Sequence, residues 1–440
     1  MGGESTAGAR ARRLRTIMPA PRPQGWRVEL AALEQAGGDL ALVLWRVLRR
    51  VREWAEHPAE TRSEVFRFAP DHASARLTLE GEREPELVEA FATVASLLRE
   101  PESVPARRLA EACHRVYAWA ERRSLVEVAM LFAEATALVE PENPAWANDA
   151  GRLCRRAARD DRSVSWFHRA YGLAARTKEQ PEMIRALLGY GTLMKDAGEY
   201  DEARRHYEKA ATRARYTGRR RQAAEAHHDL LAIAAETGAC AEGERHARRA
   251  LELYPIHHPA VPALAHDWAF LLVRSRYYSL ALPLVEAVLP RILLPEVQTV
   301  VWGTVARAAA GAGRRDRFEE AECRVARLIE LHEEFAPSAL NGLAQGSWAF
   351  GRWAEAEGYA ARALETARMR RDGGEERMPR DLLRGIRARE APPREEQAQN
   401  RERVEALVSR FLARLERWRA PGTGAPGAVV VGAGTPGARH

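Results

Sequence analysis

Lysine is nearly missing: Lys178, Lys195 and Lys209 are the only three in 440 residues, against 65 arginines. Together with abundant Ala, Gly and Pro, that imbalance reads as the codon usage of a GC-rich, bacterial-type genome. The formal net charge of +7 therefore says little about a polyanionic partner. The 61 acidic residues are interleaved with the arginines, as on solvated helix faces carrying i,i+4 pairs. Cysteine is scarce too. Cys113, Cys154, Cys240 and Cys323 stand far apart with no CxxC, which speaks against a disulfide frame or a zinc site and suits small buried fillers in a reducing, cytoplasmic compartment. No apolar run approaches the ~18–20 residues that span a bilayer, and the arginine-bearing N-terminus has no apolar signal core.

Catalytic and cofactor motifs are also wanting. There is no Walker loop and no G-x-S-x-G elbow, and "HEEFA" at 332 lacks the second histidine of a zincin. Gly432, Gly434 and Gly437 stand in G-x-G-x-x-G order, but only three residues follow, with no room for the helix and second strand that dinucleotide binding needs. His227, His228, His246, His257, His258 and His266 crowd one stretch. Adjacent histidines on a helix point about 100° apart, so each pair lends one ligand at most to a given site. The expectation is a protein that is not an enzyme and carries no metal or cofactor.

What is present is helix, in a repeating form. Residues 1–24 read as a disordered basic arm and 26–105 as a mainly helical region, with helices broken near Gly37-Gly38. Val65/Phe66/Phe68 and Leu77/Leu79 allow a hairpin, a helix or a loop. From 106 to 370 one pattern returns every 35 to 40 residues or so: "GEYDEARRHYEKA" (198–210), "GACAEGERHARRA" (238–250), "SRYYSLALPLVEAV" (275–288), "DRFEEAECRVARL" (316–328), "GRWAEAEGYAARA" (351–363). Each is a turn, an aromatic or apolar residue, then a helix with small residues three to four apart. Two antiparallel helices approach closely only where one offers Gly or Ala to a bulky neighbour, so the small residues are sockets and Tyr207 is a knob.

This array resembles the tetratricopeptide repeat. In the best copy Gly191, Ala203 and Ala210 occupy the family's small positions, and Gly243, Ala247 and Ala250 follow in the next. The copy around 302–335 carries extra residues, "GAGRRD", which blur its register. The resemblance implies an all-α, right-handed superhelical solenoid of six to seven stacked helix hairpins, whose first helices line a concave groove for a peptide or a partner's helix. Carrying the phase along the chain places Asn148, Arg152, Arg155, Arg185, Thr192, Lys195, His228, His266, Phe270, Arg274, Asn341, Gln345 and Trp348 on that groove. The basic residues from Arg152 to Lys195 would receive an acidic segment, and Phe270 and Trp348 an apolar anchor. The family's lysine/asparagine clamp for C-terminal carboxylates is not reproduced.

Residues 371–398 read as a linker with one short helix, 399–420 as an amphipathic helix, and 421–440 as a disordered tail. The amphipathic helix carries Val404, Leu407, Val408, Phe411, Leu412, Leu415 and Trp418 on one stripe. That stripe is free to cap the solenoid, to join a partner or a second copy as a homodimer, or to lie on a membrane surface. The leading expectation is a non-catalytic protein- or peptide-binding scaffold or regulatory module. The alternatives are a helical-repeat RNA-binding protein, against which the balanced charge counts, and a regulatory subunit of an enzyme acting through 26–105.

Overall fold

Alanine-rich sequence with few β-branched runs makes helices, and the computed structural model has twenty of them and no strand among the residues it describes, 17–66, 84–292, 294–331, 336–369, 373–394 and 401–419. Four come first: α1 (Trp26–Leu33), α2 (Gly38–Glu56), α3 (Ala59–Phe66) and α4 (Val88–Arg99). Seven consecutive pairs follow: α5 (Ala106–Arg122) and α6 (Val126–Val139), α7 (Pro144–Arg156) and α8 (Asp160–Thr177), α9 (Gln180–Asp196) and α10 (Tyr200–Tyr216), α11 (Arg220–Thr237) and α12 (Cys240–Leu253), α13 (Val261–Arg274) and α14 (Tyr278–Val288), α15 (Pro295–Gly311) and α16 (Arg315–Ile329), α17 (Ala336–Ala349) and α18 (Trp353–Met369). The last two are α19 (Gly373–Arg387) and α20 (Arg401–Arg417). Packing divides the chain into two compact units, Met1–Leu193 and Met194–Arg439.

Every pair turns in the same way. Two residues before each second helix the backbone is left-handed, at Ser124, Ala158, Gly198, Gly238, Arg276, Gly313 and Gly351. The following N–H reaches back five residues to a carbonyl: Glu199 to Met194 at 2.9 Å, Tyr277 to Leu272 at 2.9 Å, Arg352 to Ser347 at 2.8 Å. This is a Schellman-type closure, which satisfies helix-end carbonyls and reverses the chain. Gly198, at φ +80°, supplies it without steric cost. Within the pairs the expected sockets are found, since Ala203, Tyr207 and Ala210 are fully buried.

In the first unit α6 forms the centre. Val128 to Ala137 are buried on every side, with α5, α7 and α2 packed around them. Several polar groups in this core are paired. Glu134 accepts from Trp166 Nε1 at 2.8 Å and Arg162 Nε at 2.8 Å, and Arg52 pairs with Glu29. Glycine lets these helices close: the Phe167 ring fills the space that a Cβ on Gly151 or Gly189 would need, at 2.8 and 2.3 Å. Of the segment read as a disordered arm, residues 17–24 are seated on α8, where Arg169 donates to the Met18 carbonyl and Arg162 to that of Arg22. Val65 and Phe66 belong to α3 rather than to a strand, while Phe68, Leu77 and Leu79 lie outside the described residues, as do the three glycines near the C-terminus.

In the second unit the first helices α11, α13, α15 and α17 lie side by side and the second helices pack behind them. Two later segments add to this stack. The stretch expected to be a linker holds α19, which buries Leu382, Leu383 and Ile386 against Trp348, Ala356 and Ala360. Helix α20 returns across more than a hundred residues to cross α12, α13 and α14 rather than capping an end. Its stripe of Val404, Leu407, Phe411 and Leu415 is buried there. Arg414 donates to the Leu251 and Tyr254 carbonyls, both at 3.1 Å, and Trp418 Nε1 to that of His258 at 3.0 Å. The apolar face available in sequence to a partner or a second copy is thus filled by the chain itself. No described helix is long and apolar enough to cross a membrane.

Candidate functional site

The thirteen residues placed on the groove by sequence fall into both units, and the two sets have different fates. In the first unit α7 and α9 present Asn148, Arg152, Arg155, Arg185 and Thr192. Their charge is already answered. Arg152 makes a two-pronged contact with Glu121 at 2.6 and 2.9 Å, Arg185 pairs with Asp149, and Tyr117 donates to the second Asp149 oxygen at 2.9 Å. Burial opposes the Arg152 charge, yet Glu121 and Asp149 outweigh it and raise its pKa above the usual arginine range. Asn148 donates to the Glu182 carboxylate at 2.8 Å and to its carbonyl at 3.1 Å, Thr192 bonds the Leu188 carbonyl, and Arg155 is half-buried. The expected basic mouth is therefore an internally compensated ion network, and an acidic segment would have to displace carboxylates already in place.

In the second unit Trp348 and Gln345 also part company with expectation. Trp348 is 7% exposed, donates to the Glu390 carbonyl at 3.1 Å and lies under α19. It is a core residue, because the helix that covers it comes from outside the repeat phase used to place it. Gln345 is half-buried one turn before it.

Further along the row, α11 and α13 build a buried polar cluster. His228 Nε2 lies 3.0 Å from Asp267 Oδ2, His266 Nδ1 lies 3.5 Å from its other oxygen, and His266 Nε2 meets Thr304 Oγ1 at 3.2 Å. Burial would raise the Asp267 carboxyl, but hydrogen bonds from His228 and His266 prevail and hold it down to about 2. Asp229 has no such help: burial pushes it up to about 6 against the pull of His228 and Lys195. Lys195 itself lies 3.9 Å from Asp196. These groups hold the first helices in register and leave the histidines committed to protein partners. Among the described residues no group of three or more His, Cys, Asp and Glu side chains could hold a metal ion.

Beside this cluster a cavity of about 60 Å³ opens on the row of first helices. Glu236 of α11, Phe270 and Arg274 of α13, Thr304 and Arg307 of α15, Ser338 and Asn341 of α17 and Met378 of α19 line it. The packing that forms its wall is tight: a Cβ on Gly303 would lie 2.6 Å from Ala339 Cα, so α15 and α17 touch backbone to backbone. Arg274 donates to the Glu236 carbonyl at 3.1 Å. Arg307 has no hydrogen bond or ion pair among the described residues, and its Nε is fully buried. Burial pushes the Arg307 guanidinium down to about 10, and the positive Arg274 pushes the same way. Asn341 is 3% exposed with Oδ1 unpartnered.

The structure thus brings together Phe270, Arg274 and Asn341 of the sequence-placed residues, next to His266, and adds Thr304, Arg307, Ser338 and Glu236. Arg307 was missed because reading "GAGRRD" as extra residues blurs the repeat register, whereas the turn at Gly313 has the same form as the others. Counting from Gly303, Arg307 falls one turn later on the same face, a signal available only once the Gly303–Gly342 approach is known.

No family model matches the chain, and no curated protein matches it. Among solved structures, the crystal structure of the P58(IPK) TPR domain is similar at 13% identity and a TM-score of 0.21, covering 72% of this chain and 97% of that one. At that TM-score the description of the fold rests on this chain's own helix pairing.

Proposed function

We propose that this chain is a non-catalytic protein- or peptide-binding module, a scaffold or regulatory component of a bacterial cytoplasm, and that the partner rests on the row of first helices in the second unit. The observation that carries this reading is the cavity at Phe270, Arg274, Arg307 and Asn341. There an aromatic face, an unpaired cation and an unpartnered buried amide converge, whereas Arg152 and Arg185, the cations expected at the basic end of the groove, are matched by carboxylates. Buried charge without a partner is costly, and binding surfaces concentrate such groups. The four free cysteines agree with a reducing compartment.

The test is site-specific photocross-linking in the host cell, with benzoylphenylalanine in place of Phe270 and, as control, in place of Tyr216, which is 77% exposed on α10. A discrete adduct at position 270 and none at 216 is expected. Equal labelling at both, or none at 270, would remove this surface from consideration.

A further inference from the structure

We infer that the Arg307 cavity is a carboxylate-binding site that accepts a single acid group carried on a short aliphatic stem. This deepens the proposed function and rests on it only for the source of the carboxylate. Three observations converge. First, the lining carries two cations, Arg274 and Arg307, and one carboxylate, Glu236, so the cavity holds one positive charge more than its lining can neutralise. Second, Asn341 lines the cavity and is buried with an amide oxygen that has no partner. Third, about 60 Å³ is room for a few water-sized groups, enough for a carboxylate and not for a nucleotide.

The choice of carboxylate over phosphate follows from charge and shape. A phosphate brings roughly two negative charges at neutral pH, more than the cavity lacks, and would stand against Glu236. A carboxylate brings one, and its planar pair of oxygens matches the guanidinium fork. Phe270 and Met378 on the same wall give apolar contact to methylene groups beside the acid. The acid can come from a glutamate side chain of a bound peptide or from a free small carboxylic acid. Both sources share this chemistry.

The experiment uses the full chain and four probes: propionate, the capped peptide acetyl-Ala-Glu-Ala-amide, its glutamine twin, and inorganic phosphate. Thermal midpoints and titration calorimetry are read for wild type, Arg307→Met and Arg307→Lys. Propionate or the glutamate peptide is expected to raise the wild-type midpoint while the glutamine twin does not. Binding by propionate alone identifies a free acid, and binding by the peptide identifies a side chain. Arg307→Met should weaken binding roughly tenfold or more and, without any probe, should melt higher than wild type, because it removes a half-buried charge whose Nε is buried without a partner. Arg307→Lys keeps the charge and loses the fork; it should fold as wild type and bind measurably more weakly.

Equal binding of the glutamine twin, a response to phosphate alone, or undiminished binding by either variant overturns the assignment. A cross-link at position 270 that persists in Arg307→Met, with no effect of propionate, sinks this inference and leaves the broader reading standing. A propionate effect without any cross-link does the reverse.

Discussion

Gly342 approaches Gly303 so closely that a methyl group on Gly342 would lie 2.1 Å from the Gly303 carbonyl oxygen. No backbone tolerates that distance, so the two first helices α15 and α17 touch here only because neither carries a side chain. The contact also sets the wall from which Arg307 and Asn341 reach the cavity.

Gly342→Ala is accordingly expected to destabilise the second unit by about 1–3 kcal/mol, since the helices must part to admit the methyl. A matched control is Gly358→Ala on α18, where nothing lies within 4 Å of the added carbon. There helix propensity alone acts, and about 0.5–1 kcal/mol of stabilisation is expected. Urea unfolding of both variants checks the pair, and a Gly342→Ala midpoint at or above wild type would refute the close-contact reading.

Arg276 occupies, at φ +61°, the turn position that glycine holds in four of the seven pairs. A side chain there costs roughly 1 kcal/mol through its Cβ. Arg276→Gly is expected to raise stability by about 0.5–1 kcal/mol despite the added freedom of the unfolded chain. A drop in the urea midpoint would mean that the arginine side chain does more at that turn than its backbone costs.

His227 and His246 face each other with Nδ1 atoms 3.1 Å apart, and burial, reinforced by nearby arginines, holds both down to about 4. Their ordinary value is 6.5, so between about pH 6.5 and 4 the unfolded chain binds more protons than the folded one. Stability must then fall as pH drops through that window. Asp229 acts in the opposite sense between its ordinary 3.8 and about 6, but it is one group against two. Asp267 adds a further loss only as pH falls from about 4 to about 2. Unfolding free energy measured at pH 7 and pH 5 should decline by on the order of 1 kcal/mol, a figure reduced for the partly open rings. A His227→Leu/His246→Leu variant should flatten that slope, and an unchanged slope would place the acid sensitivity elsewhere.

Much of the architecture was readable along the chain because it is local. Helical spacing of small and large residues needs only neighbours three and four positions away, and Ala203, Tyr207 and Ala210 became the buried contacts their spacing implied. The turns were legible for the same reason wherever glycine marks them, and at Ser275-Arg276 from the repeat spacing, but hidden at Ala158, where another residue adopts the glycine conformation. The site was less legible. Phase alone placed Arg152, Arg185 and Arg274 in comparable surroundings, yet the first two meet Glu121 and Asp149 and the third donates to a backbone carbonyl, that of Glu236.

By itself, then, the amino-acid order determined that this protein is helical, paired and repeating, since hydrogen bonds within a helix and packing within a hairpin are short-range interactions. Tertiary structure alone decided that Trp348 is roofed by α19, that the stripe on α20 is spent on α12 and α14, and that Arg307 keeps its Nε buried without a partner. Burial and charge compensation are sums over groups thirty to more than a hundred residues apart, and no local pattern encodes which of them will meet.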